Sequence, residues 1–285
     1  MPKTKRILEV FCIVLIFSVL LSAYAYADFK IAIMQDKRGT AAKFRPLLAY
    51  LQKNGVKASF VAAKNYSHAA KMFSESKVNG MFSGSGIAGC MIIKEIAHPV
   101  VRPVQKEGWS TYWAVVIAPK NSPRFTQDAA YFKGKKVIFC SLASSGEFFF
   151  QSIVRRTDVK ATIMKASSHG AAIDALARGV ADIAIVKNRV WDKSHDKYDN
   201  LTHVGEDLGE NPNGTLIISK NTDTNLAEKI STILLGLKDD DSIEAKKVKE
   251  KLGITGYIKT TIDDFKFTLR LLKKAGVDKS FNFSF

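Results

Sequence analysis

Cysteine and histidine are scarce in this chain, and the scarcity argues against several kinds of chemistry. The 285 residues include three cysteines and five histidines, and these histidines lack the spacing of metal ligands. We therefore expect no metal and no other cofactor. A G-x-S-x-G nucleophile elbow is also missing, because Gly80-Met-Phe-Ser-Gly84 has the wrong spacing for one. We expect a binding protein and not an enzyme.

Acidic side chains are few compared with basic ones. The chain has 43 lysine and arginine residues against 27 aspartate and glutamate residues, which gives a formal charge of +16. Such a balance suits nucleic acid, an anionic surface or a small anionic ligand. The lysines are dispersed along the chain instead of clustered with aromatic residues. Together with the export signal described next, this argues against nucleic acid, and the positive field would help to attract an anion although charge alone does not choose the partner.

The N-terminus has the three parts of a secretory signal. Three basic residues lie within the first six, an apolar stretch covers residues 7–21, and Ala25-Tyr-Ala27 matches an A-x-A cleavage site. The stretch is shorter than the roughly 20 residues of a membrane span. The pattern predicts a signal peptide over residues 1–27, cleaved after Ala27, and a mature periplasmic protein. A retained N-terminal anchor is the alternative.

Strand and helix patterns alternate along the rest of the chain. Repeated βαβ patterning implies parallel sheets with ligand sites at the carboxyl ends of the strands. The sequence predicts strands at 29–34, 57–62, 78–83, 99–104 and 112–119, helices at 41–54, 67–76 and 86–95, and a second alternating set over 135–187.

Two breaks divide the mature chain into lobes. Pro119-Lys-Asn-Ser-Pro123 separates lobe one at 28–118 from lobe two at 119–205, and a cluster of Gly, Asn and Pro begins a return over 206–285. The return is expected to hold a strand at 215–219 and then a helical tail. Two α/β lobes joined by two crossings would form a hinged clamp.

Export would remove Cys12 and leave Cys90 and Cys140. We expect these two cysteines in different lobes, where a bridge would lock the cleft, so we interpret them as small buried hydrophobic residues. A disulfide between them is the alternative in an oxidising compartment.

Two successive strand–turn–helix units carry the strongest functional signal. The first runs from an apolar strand into Ser141-Leu-Ala-Ser-Ser-Gly146, with a helix predicted over 146–156, and the second runs into Ser167-Ser-His-Gly170. Each places hydroxyls, a glycine and free backbone N–H groups at a helix start, where the helix dipole is positive. Two such starts facing one cleft would form a cradle for a tetrahedral oxyanion.

Several short segments, in their order and spacing, carry a family resemblance. From Phe44 to about Gly256, the chain resembles the phosphate, phosphite and phosphonate-binding proteins of ABC importers, which have a two-lobed α/β periplasmic-binding-protein fold of the second type. The matching segments are Phe44-Arg-Pro-Leu-Leu-Ala-Tyr-Leu51, Asn65-Tyr-Ser67, Gly84, Thr111-Tyr-Trp-Ala-Val-Val-Ile117, Phe132-Lys-Gly-Lys-Lys-Val137, Ala143-Ser-Ser-Gly146, Ser168-His169 and Leu176-Ala-Arg-Gly-Val-Ala-Asp182.

The resemblance implies a set of ligand-binding residues. The family holds phosphonate oxygens with a Ser-Thr-Ser-Gly turn, a histidine at the next helix start and two tyrosines. By similarity, these roles fall on Ser144, Ser145, His169, Tyr66 and Tyr112. Charge-assisted hydrogen bonds from such groups to phosphoryl oxygens are short and strong. The alternatives are plain N-caps for the serines, local bonding for the histidine and core packing for the tyrosines.

Two departures from the family pattern bear on the ligand. The first serine of the turn is Ala143, which removes one hydroxyl donor. The two carboxylates that hold the amine of aminophosphonates in the family fall, by spacing, at about Arg189 and Gly214. Arg189 would repel an ammonium group, so a second anionic group on the ligand or a tightly held inorganic oxyanion fits better. The alternative is that Arg189 points to solvent or pairs with Asp192 or Asp196.

Gly84-Ser-Gly-Ile-Ala-Gly89 matches the dinucleotide fingerprint G-x-G-x-x-G. The fingerprint belongs after the first strand of a Rossmann unit, whereas this segment follows the third predicted strand. We therefore expect backbone groups of Gly84, Ser85 and Gly146 at the floor of the cleft instead of a dinucleotide site.

These expectations combine into one functional hypothesis. The protein is expected to be an exported, monomeric solute-binding protein that captures a small phosphonate, phosphite or phosphate-type oxyanion for an ABC permease. A ligand-sensing protein that feeds a membrane sensor kinase or chemoreceptor is the alternative. An exported phosphate-ester enzyme is a third possibility, and it would need a metal or nucleophile that the sequence does not show.

Overall fold

The computed structural model describes residues 28–34, 41–64, 66–140 and 144–283. The predicted signal peptide and its cleavage site lie outside these ranges. Within them, no helix is both long and apolar enough to cross a membrane.

The described chain alternates strands and helices, and short 3₁₀ turns join some of them. In chain order the elements are β1 (Phe29–Met34), α1 (Arg45–Lys53), β2 (Ala58–Ala63), α2 (Tyr66–Ser74), β3 (Gly80–Ser83), α3 (Ser85–Ile93), β4 (Ala97–Gln105), β5 (Thr111–Tyr112), β6 (Ala114–Pro119), β7 (Lys136–Cys140), α4 (Ser145–Val154), β8 (Thr162–Ala166), α5 (His169–Ala177), β9 (Ile183–Lys187), α6 (Asn188–Asp192), β10 (Leu201–Glu206), β11 (Asn211–Pro212), β12 (Thr215–Ser219), α7 (Thr224–Gly236), α8 (Ile243–Leu252), β13 (Ile254–Lys259) and α9 (Lys266–Lys274).

The first lobe is built on a six-stranded sheet with the order β13-β4-β12-β3-β1-β2. Strand β1 is parallel to β2 and β3, whereas β12 is antiparallel to β3 and β4. Side chains alternate between the faces, since Ile31 and Ile33 enter one buried cluster and Ala32 enters the other. Both faces of this mixed sheet are therefore covered.

The second lobe repeats this arrangement with five strands in the order β10-β6-β9-β7-β8. Strands β7, β8 and β9 are parallel, and β6 is antiparallel to β9 and β10. Val116 and Phe139 belong to the buried cluster on one face, and Ile117 and Ile138 belong to the cluster on the other. The first sheet has two antiparallel strands, β12 between β3 and β4 and β13 at the edge beside β4, whereas in the second sheet β6 lies between β9 and the outer strand β10.

Two short strands mark where the chain crosses between the lobes. β5 and β11 pair antiparallel, with Tyr112 opposite Asn211 and Thr111 opposite Pro212. Strand β6 follows the first crossing directly and pairs within the second sheet. The predicted limit of lobe one at 118 is therefore one strand too late, because β6 pairs with β9 and β10 of the second sheet.

The C-terminal part also departs from the predicted helical tail. Between α8 and α9, strand β13 pairs antiparallel with β4 and forms the edge of the first sheet. Cys90 and Cys140 are both buried and no disulfide joins them. Cys90 packs in the apolar cluster beneath α3, and burial raises its thiol pKa to about 12.

Candidate functional site

Three helices begin directly after strands at the carboxyl ends of the two sheets. Helix α3 follows β3 with Gly84 as its N-cap, and helix α4 starts after β7 with Ser144 as its N-cap. Helix α5 follows β8, and its N-cap, Ser168, accepts a hydrogen bond from the N–H of Ala171 at 3.1 Å. Such starts present unpaired N–H groups and the positive end of the helix dipole. They are suited to binding an anion.

Tyr112 connects the helix starts of the two lobes. It lies on the crossing strand β5, and its side chain is buried. Its hydroxyl is 2.7 Å from the hydroxyl of Ser85 at the start of α3, and the hydroxyl of Ser145 at the start of α4 also lies beside it. Burial raises the pKa of Tyr112, so the phenol is protonated and can donate a hydrogen bond.

The two serines of the α4 turn have different surroundings. The hydroxyl of Ser144 accepts a hydrogen bond from the N–H of Glu147 at 3.3 Å. Ser144 is therefore the N-cap of α4, which was the alternative to a ligand-binding role. Ser145 is buried, and its hydroxyl, although it lies beside that of Tyr112, has no described partner at hydrogen-bonding distance and angle. An unsatisfied buried hydroxyl is costly unless a ligand or water completes it.

His169 begins α5 beside the end of β9. Its Nδ1 accepts a hydrogen bond from the backbone N–H of Lys187 at 3.4 Å. Burial, and the nearby charge of Lys187, lower the pKa of His169 to about 4. The ring is therefore neutral near pH 7 and carries its proton on Nε2, which makes no hydrogen bond with the described residues.

Lys187 also lies at this site, although no sequence motif points to it. Its ammonium donates a hydrogen bond to Oδ1 of Asn213 and lies 4.2 Å from the ring centre of Tyr112. Burial, and the charge of Arg189, lower the pKa of Lys187 to about 8. A lysine at the end of a strand resembles many others in this basic chain, so no local signal distinguishes it.

Arg189 stands two residues further on, in the short helix α6. Its guanidinium carbon is 4.9 Å from the ring centre of Trp109 and 5.2 Å from that of Trp113. The nearest described carboxylate is Asp192, whose oxygen is 4.0 Å away. The side chain is 25% exposed, and its Nε is buried without a hydrogen-bond partner among the described residues. The partial exposure and the contact with Asp192 agree with an Arg189 that points to solvent or pairs locally. The buried Nε without a partner agrees with an Arg189 that faces the cleft.

Three other predicted site residues are the glycines Gly84 and Gly146 and the aromatic residue Tyr66. A Cβ on Gly84 would lie 3.9 Å from the Tyr112 hydroxyl, and one on Gly146 would collide with the carbonyl oxygen of Ile185. Gly146 therefore packs tightly against β9, whereas Gly84 leaves room for ordinary contact beside Tyr112. Tyr66 is the first residue of α2, and its side chain lies outside the described part of the structure.

The described residues were also compared with the side-chain groupings that hold metal ions. Among the described residues, no group of three or more His, Cys, Asp or Glu side chains is arranged to hold a metal ion.

The two sheets and the helix starts at the carboxyl ends of their strands form a two-lobed α/β fold, and comparison with known families agrees with this architecture. A family model of ABC transporter phosphonate periplasmic substrate-binding proteins matches residues 29–265. The chain belongs to this family. Its members are periplasmic binding proteins that serve transport and not enzymes, and the predicted type 2 fold is confirmed.

Solved structures with the same fold extend over most of the chain. A Xanthomonas citri protein bound to ATP has a TM-score of 0.70 at 13% identity, covering 87% of this chain and 94% of its own. PhnD1 from Prochlorococcus marinus, in complex with methylphosphonate, has a TM-score of 0.67 at 15% identity, with coverages of 87% and 98%. A binding protein component of an ABC phosphonate transporter from Pseudomonas aeruginosa has a TM-score of 0.62 at 18% identity and covers 86% of each chain. Comparison with curated proteins finds no match.

Proposed function

We propose that this protein captures a small oxyanion of the phosphonate, phosphite or phosphate type and delivers it to an ABC permease. The observation that carries the proposal is the meeting of helix starts from both lobes at the Tyr112 hydroxyl. A hydrogen bond at 2.7 Å joins this hydroxyl to Ser85 of the first lobe, and Ser145 of the second lobe lies beside it. An anion held there would be enclosed by both lobes.

Each predicted residue has a distinct part in this proposal. The hydroxyls of Ser145 and Tyr112 and the Nε2–H of His169 would donate hydrogen bonds to ligand oxygens. Ser144 holds the first turn of α4 in place, so that the N–H groups of Ser145 and Gly146 are presented to the ligand. Tyr66 would complete the site from α2. Hydrogen bonds between neutral donors and an anion typically contribute about 1.5–3 kcal/mol each.

Export and delivery are part of the same proposal. Family membership supports a periplasmic location and a membrane permease as the partner, and the N-terminal pattern supports cleavage after Ala27. We propose that the binding protein acts as a monomer. Mass spectrometry of the protein recovered from a periplasmic fraction should give a chain that begins at Asp28. A chain that retains residues 1–27 would favour the N-terminal anchor.

A thermal-shift screen of the purified protein tests the ligand class. Phosphate, phosphite, methylphosphonate, sulfate and dicarboxylates are compared at equal concentration. A ligand that binds only the folded state, at a hundredfold excess over its Kd, adds about 2.7 kcal/mol of stability. We expect at least one phosphorus oxyanion to raise Tm, whereas sulfate and dicarboxylates should have little effect. The proposal fails if no phosphorus oxyanion stabilises the protein.

A further inference from the structure

Two cations lie side by side next to the proposed phosphoryl site. Lys187 ends β9 and Arg189 follows it in α6, and Arg189 is close enough to lower the pKa of Lys187. The Lys187 ammonium sits over the ring of Tyr112, and the Arg189 guanidinium is close to both Trp109 and Trp113. Like charges held this close repel each other and destabilise the protein unless an anion lies between or beside them.

The acidic residues nearby do not neutralise this pair. Among the described residues, no carboxylate lies within ion-pair distance of Lys187, whose ammonium is bound by the neutral amide of Asn213. Asp192 is 4.0 Å from Arg189 but its side chain is 53% exposed, so the attraction is weak. Glu206 accepts a hydrogen bond from the indole of Trp113 at 2.8 Å and is not an ion-pair partner of Arg189.

Aromatic rings keep the two cations in place. A cation over an aromatic face is attracted to it, and the attraction grows as water is excluded. The ring of Trp109 faces both side chains, with the Lys187 ammonium at 6.0 Å and the Arg189 guanidinium at 4.9 Å from its centre. The pair is thus held in position before any ligand arrives, which lowers the entropic cost of binding.

The cations lie to one side of the hydroxyl at which the helix starts meet. Lys187 contacts the face of the Tyr112 ring instead of its oxygen, and Arg189 lies beyond it, at Trp109 and Trp113. The phosphoryl oxygens already have hydroxyl, imidazole and backbone donors. The positive charge of this pair is therefore available to a different part of the ligand, the substituent on phosphorus.

We propose that Lys187 and Arg189 form a second anion subsite that binds a carboxylate on the substituent of a phosphonate. The ligand class is then a phosphonocarboxylate, and the inference rests on the proposed function of the cleft. The planar guanidinium of Arg189 would bind the carboxylate with two parallel hydrogen bonds, and Lys187 would lie between this carboxylate and the phosphoryl group.

Isothermal titration calorimetry with matched ligands tests the subsite. Phosphonoacetate and phosphonoacetamide have nearly the same shape and differ in the charge of the distal group, and methylphosphonate lacks that group. We expect phosphonoacetate to bind wild type at least tenfold more tightly than phosphonoacetamide. Arg189→Gln and Lys187→Gln should each reduce this ratio severalfold. Lys197→Gln removes the same charge from an exposed residue of the second lobe and should leave the ratio unchanged.

The results separate this inference from the proposed function. A ratio near one in folded wild type, or a ratio that both variants retain, would overturn the carboxylate subsite while methylphosphonate binding still supported an oxyanion-binding protein. If methylphosphonate, phosphite, phosphate and phosphonoacetate all fail to bind, the proposed function itself fails. If Lys187→Gln does not fold, Arg189→Gln alone tests the subsite, because this side chain is partly exposed. Arg189→Lys should restore part of the affinity ratio, because it restores the positive charge.

Discussion

At the scale of single residues, the protonation state of His169 follows from its neighbours. The N–H of Lys187 donates to Nδ1, so the remaining proton must sit on Nε2. Burial and the charge of Lys187 lower the pKa of His169 to about 4, well below its ordinary value of 6.5. The imidazole is thus a neutral hydrogen-bond donor at every pH at which the protein is expected to work.

Replacing His169 by alanine should weaken binding of methylphosphonate by roughly 1.5–3 kcal/mol, the range for a hydrogen bond to a charged group. Because the ring stays neutral, the ratio of the two dissociation constants should not change between about pH 5.5 and about pH 7.5. Calorimetry of wild type and variant across this range measures the ratio. A ratio that grows as the pH falls below 6.5 would mean that the histidine binds as a cation.

The serines of the α4 turn allow a second test at this scale. Ser144→Ala combined with Ser145→Ala should weaken methylphosphonate binding by roughly 1.5–3 kcal/mol, the range for the one ligand hydrogen bond that the Ser145 hydroxyl would donate. Loss of the N-cap alone should cost the fold only about 1 kcal/mol. Calorimetry and thermal melts measure the two effects.

Ser242→Ala provides the control for the serine variant. Ser242 caps α8 with a hydrogen bond from the N–H of Ala245 at 3.2 Å, in an element that takes no part in the site. The Ser242→Ala variant should lower Tm by a similar small amount and leave the affinity for methylphosphonate unchanged. Unaltered affinity in the folded double variant would show that the α4 turn does not bind the anion.

At the scale of elements, the position of α4 depends on how closely its first turn approaches β9. A side chain on Gly146 would collide with the carbonyl oxygen of Ile185, so only glycine lets the helix start rest on the strand backbone. Strand β9 ends at Lys187, whose N–H holds His169. This close contact therefore sets the α4 start, and with it Ser145, relative to the residues at the end of β9.

Gly146→Ala should move the start of α4 away from β9. We expect a loss of about 1–3 kcal/mol in the free energy of unfolding, which is typical of overpacking, together with weaker methylphosphonate binding. Gly236→Ala is the matched control, because a Cβ there meets no atom within 4 Å and the residue is helical. Alanine is favoured over glycine in a helix, so the control should be neutral or slightly stabilising. Equal melting temperatures for Gly146→Ala and wild type would contradict the close-packing argument.

At the scale of the whole molecule, the two lobes contact each other away from the crossings as well as at them. Phe148 of α4 is buried in the same cluster as Leu272 of α9 and Met91 of α3, both in the first lobe. Near the crossings, Asp207 lies between β10 and β11 and accepts a hydrogen bond from the Nδ2 of Asn211 at 3.3 Å. The lobe arrangement thus combines an apolar contact with a buried carboxyl group beside the crossings.

The buried carboxyl of Asp207 makes the stability of the molecule depend on pH. Burial raises its pKa from 3.8 to about 7 in the folded protein, although Asn211 and nearby backbone N–H groups oppose the rise. The folded state therefore keeps a proton that the unfolded chain has lost, and this group's contribution to stability declines as the pH rises from about 4 to about 7. Asp207→Asn cannot ionise, so its Tm relative to wild type should increase between about pH 5 and about pH 8. Differential scanning calorimetry measures the difference, and a constant difference would show that Asp207 titrates normally.

Local patterns in the chain were sufficient for much of the architecture. The strands Phe29–Met34 and Thr215–Ser219 match their predicted limits, because short apolar runs bounded by polar residues and turns are readable from sequence. Helices α4 and α5 begin at Ser145 and His169, inside the two turns predicted from the sequence, because capping chemistry is local. The family and its type 2 fold were also recognisable, since they depend on the order and spacing of such segments.

Contacts between distant parts of the chain decided the rest. Strand β6 belongs to the second sheet and β13 to the first because strand pairing depends on how the chain crosses between lobes, and no local pattern records that path. Lys187 became a site residue for the same reason. Its ammonium contacts Tyr112 and Asn213, which are far away in sequence and come together only where the two crossings meet. A periodic pattern can place a side chain on a face of its own element, but the partner on that face is determined by the tertiary fold.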